Sequence, residues 1–322
     1  STLMRSSAAS DVYKRQAIVN NADMKSYGFE IELSWRDRIG EVDYGVKFNL
    51  ADAQQKVVKY PNTTNAFSDW YAGKMSGEIW GYTSLGIAKT DEEMKEHLAS
   101  LPNGGQNQLG NKWGAGDIMY ADINGDGKVD GGKGTLADPG DQRIIGNSTP
   151  RYNFGLVLDA SYKGFDVSIF FQGVGKRDYA PIVGTNGAVF WGAVNNIWQS
   201  MAMEEHFDYF RPEGHPMGAN LNGYYPRPDF TSNKNHQVQT RYLQDASYIR
   251  LKNLQIGYTL PKQWINKLHI NRCRVYVSGD NLWTGTSLAS MFDPETLAAG
   301  DWGSGKTYPL SKVISFGLNV NF

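Results

Sequence analysis

The clearest chemical spacing in the chain is Asp122-x-Asn124-x-Asp126-Gly127-Lys128-Val129-Asp130. Oxygen donors at positions 1, 3 and 5, a glycine at 6 for the sharp turn and a backbone carbonyl at 7 suit a hard cation such as Ca²⁺. A complete loop wants an acidic ligand at position 12, and Lys133 stands there. A turn held by Asx hydrogen bonds without metal is therefore the competing reading. A second set of residues is aromatic: Trp70, Tyr71, Trp80, Tyr82, Trp113, Trp191, Trp198, Tyr224, Tyr225 and Trp302 all lie between the regular segments. Such rings either stack on the apolar faces of sugars or fill the small cores that large loops need. Trp70, Trp80, Trp113, Trp191 and Trp198 are the candidate ligand contacts. The five histidines show no metal spacing, and no G-x-S-x-G, P-loop or zinc motif pairs a nucleophile with a base. The chain reads as non-enzymatic, with no cofactor other than a structural Ca²⁺.

The elements that position these residues are strands. The 322 residues carry 32 Lys+Arg against 33 Asp+Glu, so net charge gives no reason to expect nucleic acid as a partner. With 36 Gly, 18 Tyr, 14 Phe and 9 Trp, the composition is turn-rich and aromatic, as β-proteins are. Cys273 is the single cysteine and cannot form an internal disulfide. No run approaches the roughly 18 apolar residues of a membrane-spanning helix. Residues 1–16 lack both the apolar core of a signal peptide and the alternation that follows, and read as an artefactual or disordered leader.

From Tyr27 the pattern has period two. Tyr27, Phe29, Ile31, Leu33 and Trp35 form one row, and Val42, Tyr44, Val46, Phe48 and Leu50 form the next. Tyr152 to Tyr162 makes a third run, which turns at Lys163-Gly164 into a fourth carrying Phe165, Val167, Ile169 and Phe171. Residues 247–260 alternate with a change of parity near Lys252-Asn253, which predicts a bulge. Residues 271–282 and 314–322 complete seven runs. Soluble strands average about 5–6 residues and membrane-spanning ones need about 9–11. Most of these runs are long, and short turns (37–40, 163–164, 261–268) alternate with long connections (54–150, 175–246, 284–311). That is the pattern of an outer-membrane barrel with short periplasmic turns and long outer loops, and it disfavours a soluble sandwich. An odd strand number predicts that the chain is a piece of a larger barrel. Glu30, Glu32, Asp43, Lys47 and Asp159 fall on the lumen side, and Thr90 with Glu93 predicts a capped helix over 90–101.

Several strings carry a more specific resemblance. GEIWGYTSLGIAKTDEEM (77–94), GDIMYADINGDGKVD (116–130), DQRIIGNSTPRYNFGLVLDASYKGFDVSIFFQGV (141–174), RYLQDASYIRLKNLQIGYTLPK (241–262) and RVYVSGDNLWTGT (274–286) occur in this order. Over residues 17–322 the chain resembles the C-terminal part of SusC/RagA-type TonB-dependent outer-membrane transporters of Bacteroidetes. The resemblance implies an all-β fold, seven of the 22 antiparallel strands that surround a plug. It implies import of oligosaccharides, or of peptides, driven by TonB-ExbB-ExbD acting through a plug that these residues lack. A SusD-like lipoprotein would cap the outer loops, and the fragment alone would not transport. A siderophore or cobalamin receptor, a surface adhesin and a soluble β-sandwich binding protein are the alternatives. The family pattern also places an acidic residue before the R-I-I-G-N string, so Asp141 joins Asp122, Asn124, Asp126, Lys128 and Asp130 as a candidate cation ligand. Phe322, a terminal aromatic closing an alternating strand, resembles the signal read by the barrel assembly machinery.

Overall fold

The structure is a computed structural model and describes residues 21–181, 188–192, 202–229, 233–266, 269–297 and 307–322. The leader assigned to residues 1–16 lies outside them, as do Trp198 and Trp302. Seven strands form one antiparallel sheet: β1 (Asp23–Ile39), β2 (Val42–Lys59), β3 (Arg151–Tyr162), β4 (Phe165–Lys176), β5 (Tyr248–Thr259), β6 (Arg272–Thr286) and β7 (Val313–Asn321). Each pairs with its neighbour in chain order, so the sheet is an uninterrupted meander. All the long connections emerge at one end of the sheet, and all the short ones at the other.

The register aligns the apolar rows into one surface. Trp35 sits opposite Val46, Val46 opposite Leu158, Leu158 opposite Ile169 and Ile169 opposite Leu254. The row continues through Gly279 to Ile314. Many of these side chains are open to the surroundings, with Leu33 and Trp35 each 61% exposed and Phe316 85%. In water such an area would be an aggregation surface, whereas against lipid it is the favourable one. Aromatics bound it: Tyr27, Tyr152 and Trp283 at the long-loop end, and Tyr162, Phe165 and Tyr258 at the short-turn end, where the last two rings lie 4.5 Å apart. Among the described residues no helix is long and apolar enough to cross a membrane.

Two details of the strands follow from their residues. Lys163 (φ 46°) and Gly164 (φ 89°) both adopt positive φ, the two-residue turn that matches strand twist. The register of β5 shifts between Leu251 and Asn253 against both neighbours, the bulge its parity change predicts. The strands also outrun the alternation. β2 continues to Lys59 by pairing with Asp23–Glu30 of β1, and β6 continues to Thr286. The first long connection thus begins at 60 rather than 54, because Ala51–Gln55 keep the backbone pairing while their small and polar side chains hide the period.

The predicted helix is α1 (Asp91–Ala99). Thr90 Oγ1 accepts the Glu93 N–H at 3.1 Å, and Met94 is buried beneath it. Glu93 returns its carboxylate to the N–H of Lys89 rather than to that of Thr90, closing the cap one residue early.

Candidate functional site

The three long connections do not hang separately. Tyr82, Leu101, Ile118, Tyr120 and Val129 from the first share one core with Phe190, Trp191, Tyr225 and Tyr242 from the second and with Leu288, Phe292 and Leu297 from the third. The loops are one packed body over the outer end of the sheet. A buried polar network joins the first two. Lys234 Nζ and Asp117 Oδ2 lie 2.8 Å apart, both side chains essentially inaccessible. Arg227 donates to both Asp117 oxygens at 2.8 and 2.7 Å, and Asn235 Nδ2 donates to Oδ1 at 2.9 Å. The Lys234 ammonium also lies 5.0 Å from the Trp113 ring. A carboxylate without water needs such partners, and here it has a complete set.

The Asp122 loop folds as a series of Asx turns. Asp122 accepts the N–H groups of Gly125 (2.6 Å) and Gly127 (2.8 Å), and Asn124 accepts that of Asp126 (3.0 Å). Asp126 accepts from the Lys128 N–H at 3.1 Å. Asp141, which is fully buried, accepts from Ile123 (2.7 Å) and Asp130 (2.8 Å). Burial pushes the Asp141 carboxyl up, against the pull of these N–H donors. Lys128 Nζ meets Asp130 Oδ2 at 2.5 Å and holds that carboxyl below its ordinary range. Among the described residues no group of three or more His, Cys, Asp or Glu side chains is placed to hold a metal ion. The donor types suit Ca²⁺, and in the structure their oxygens accept backbone N–H groups and an ammonium, as in a turn held by Asx hydrogen bonds.

Of the four candidate tryptophans among the described residues, Trp113 and Trp191 belong to the shared core, whereas Trp70 and Trp80 lie outside it. Trp70 is part exposed, with the Lys74 ammonium 5.8 Å from its ring. Trp80 stacks on Phe67 at 4.5 Å. Trp113 packs edge-on to Tyr120 and donates to the Gly110 carbonyl. Trp191 is 1% exposed, stacked on His236 at 4.4 Å. Burial lowers the His236 imidazole to about 4, so it is neutral at ordinary pH. Trp80, Trp113 and Trp191 therefore fill loop interiors. The open cleft in this region, about 590 Å³, is lined instead by Tyr224, Arg241, Gln244, Glu205, Asp208 and Asp245.

On the sheet face opposite the apolar rows, charges are paired along the wall. Lys47 meets Glu32 at 2.8 Å, and Arg38 meets Asp43 at 3.6 Å. Arg36 of β1 crosses Gly45 of β2 to reach Asp159 of β3 at 3.0 Å. The same device recurs where Arg274 of β6 crosses Gly257 of β5 to meet Asp166 of β4. A side chain at either glycine would occupy the space the guanidinium or its carboxylate uses. Sequence reasoning placed Glu30, Glu32, Asp43, Lys47 and Asp159 on this face and missed Arg36 and Arg38, the cations of Asp159 and Asp43. It missed Asp117 and Lys234 altogether, since their pairing carries no local signal.

An antiparallel meander with an apolar outer face, a charged inner face and long loops fused at one end is the wall of a membrane β-barrel. No family model matches the sequence. The chain is 27% identical over 335 residues to TonB-dependent receptor P3 of Formosa agariphila, matching 95% of this chain and 29% of that protein. It is 28% identical over 217 residues to TonB-dependent receptor P26 of the same organism, matching 64% of this chain and 20% of that one. Among solved structures it resembles the RagAB peptide transporter with a TM-score of 0.65 at 22% identity, covering 94% of this chain and 30% of that chain. It also resembles the RagAB peptide importer in its closed-closed state, with a TM-score of 0.63. The chain is thus similar in sequence to part of TonB-dependent receptors and in fold to part of the RagAB transporter barrel, and it spans less than a third of the length of these curated relatives.

Proposed function

We propose that this chain forms part of the wall and the outer mouth of a TonB-dependent outer-membrane importer of oligosaccharides or peptides. The observation that carries the proposal is the continuous apolar face joined, at one end only, to three long loops packed as a single body. The relatives are named as receptors and transporters, which supports a binding and transport role without covalent chemistry. In this reading a SusD-like lipoprotein sits over the loop body. TonB, with ExbB and ExbD, supplies energy through a plug contributed by the rest of the polypeptide. Phe322, which is 84% exposed, belongs to the lipid-facing row and serves the assembly machinery as its recognition residue.

The test is uptake of labelled oligosaccharides and peptides by cells expressing the full polypeptide with its neighbouring lipoprotein, with and without TonB. TonB-dependent uptake of either class supports the proposal. Uptake of iron-siderophore or cobalamin instead would move the protein to the other TonB-dependent group, and recovery of the full polypeptide in the soluble fraction would sink it.

A further inference from the structure

The third long connection returns onto the inner face of the wall. On β5, Ile249 and Leu251 belong to the apolar row, with Leu251 opposite Trp283 of β6, so Arg250 and its register partner Thr284 project to the lumen side. Arg250 is 3% exposed, and each arm of its guanidinium is taken. Nε donates to Thr284 Oγ1 at 2.8 Å, Nη1 to Glu295 Oε2 at 2.8 Å and Nη2 to Asp293 Oδ1 at 2.7 Å. Lys252 adds a 2.8 Å contact to Glu295. Arg177, just past β4, donates to the carbonyls of Leu297 (3.0 Å) and Pro294 (3.4 Å). Residues 287–297 are therefore tied through charged and backbone groups to Arg250 and Lys252 of β5 and to Arg177 just past β4. They also form one side of the 590 Å³ cleft, through Ser287, Ala289, Ser290 and Met291.

We propose that residues 287–297 are a constriction strap that sets the aperture of the lumen's outer mouth, and that Arg250 is the positioning residue that holds it there. The inference rests on the transporter reading above for what passes, but not for where the strap lies. A guanidinium shared by two carboxylates and a hydroxyl fixes orientation as well as distance, which a lysine ammonium cannot do. Removing it leaves Asp293, 5% exposed at its side chain, without its cation, and that penalty falls on the strap rather than on the paired strands.

The experiment uses the full polypeptide in detergent and in cells. Hydrogen exchange of 287–297 is expected to accelerate at least tenfold in Arg250→Met, to change less in Arg250→Lys, and to stay constant in β5 and β6. Cells expressing Arg250→Met are expected to become several-fold more sensitive to vancomycin, a solute too large for ordinary porins. Should Arg250→Met fail to assemble, the double substitution Asp293→Asn/Glu295→Gln reads the same latch from the strap side. Unchanged exchange overturns the latch, and faster exchange with unaltered vancomycin sensitivity overturns the aperture role. Loosening of the strap in a protein that shows no TonB-dependent uptake would retain the strap and remove the importer reading.

Discussion

Lys234 and Asp117 form an ion pair at 2.8 Å although 117 residues separate them and neither side chain is more than 1% exposed. The pair joins the second long loop to the first, and its energetics are those of a charge that cannot be left alone. Removing Asp117 strands the buried Lys234 ammonium and is expected to cost about 3–5 kcal/mol, whereas removing Lys234 leaves Asp117 its Arg227 and Asn235 partners and costs less. Asp117→Leu should therefore make the loop body protease-sensitive, and Lys234→Met should do so to a smaller degree. Equal protease sensitivity in the two variants would contradict this account.

His236 makes the loop body sensitive to acid. Its folded value is about 4 against an ordinary 6.5, with burial as the main cause and Asp229 opposing it. Between those values the unfolded chain holds a proton that the folded one does not, so stability falls as pH drops from 6.5 to 4. The full effect is about 3 kcal/mol, complete near pH 4, with no contribution from this group above 6.5. His236→Phe is expected to flatten the pH profile of loop unfolding in that window, as followed by Trp fluorescence. A profile identical to that of the parent chain would exclude His236 as the source.

Two glycines of the sheet separate two kinds of cost. A methyl at Gly257 would meet the far end of the Arg274 side chain, which can swing aside at the loss of its bonds to Asp166. That part-buried clasp contributes about 1 kcal/mol. A methyl at Gly173 would meet the Tyr248 carbonyl at 2.3 Å and the Phe154 ring at 2.4 Å, so strands β4 and β5 would have to part. Gly173→Ala is expected to cost about 1–3 kcal/mol. The temperature at which the barrel loses its compact electrophoretic form should fall clearly for Gly173→Ala and little for Gly257→Ala.

The Asp122 loop is expected to hold its shape without added metal. Asp141→Ala strips the N–H groups of Ile123 and Asp130 of their acceptor, at a cost of about 1–3 kcal/mol for the buried Asp130 group and less for the Ile123 group, which water can reach. Millimolar Ca²⁺ should leave the melting of this segment unchanged. A calcium-dependent rise in melting temperature, abolished by Asp122→Ala, would show that the oxygens turn from the backbone to a cation.

The sequence by itself determined the seven strands, the tight turn at Lys163-Gly164, the bulge after Leu251 and the capped helix at Asp91. Each is a local consequence of side-chain period, positive φ or a hydroxyl three residues from a free N–H. It also determined which face of the sheet is apolar, because a one-residue change of register would turn every row inward. Only the tertiary structure decided that the three long loops share one core, that Trp113 and Trp191 serve that core, and that Arg250 holds the strap. Those contacts join residues tens to more than a hundred positions apart, and nothing in the spacing of a charged residue says which distant charge the fold will bring to it. Burial then decides the outcome. The same lysine on a solvated loop would contribute little, but at Lys234 it has to be paired.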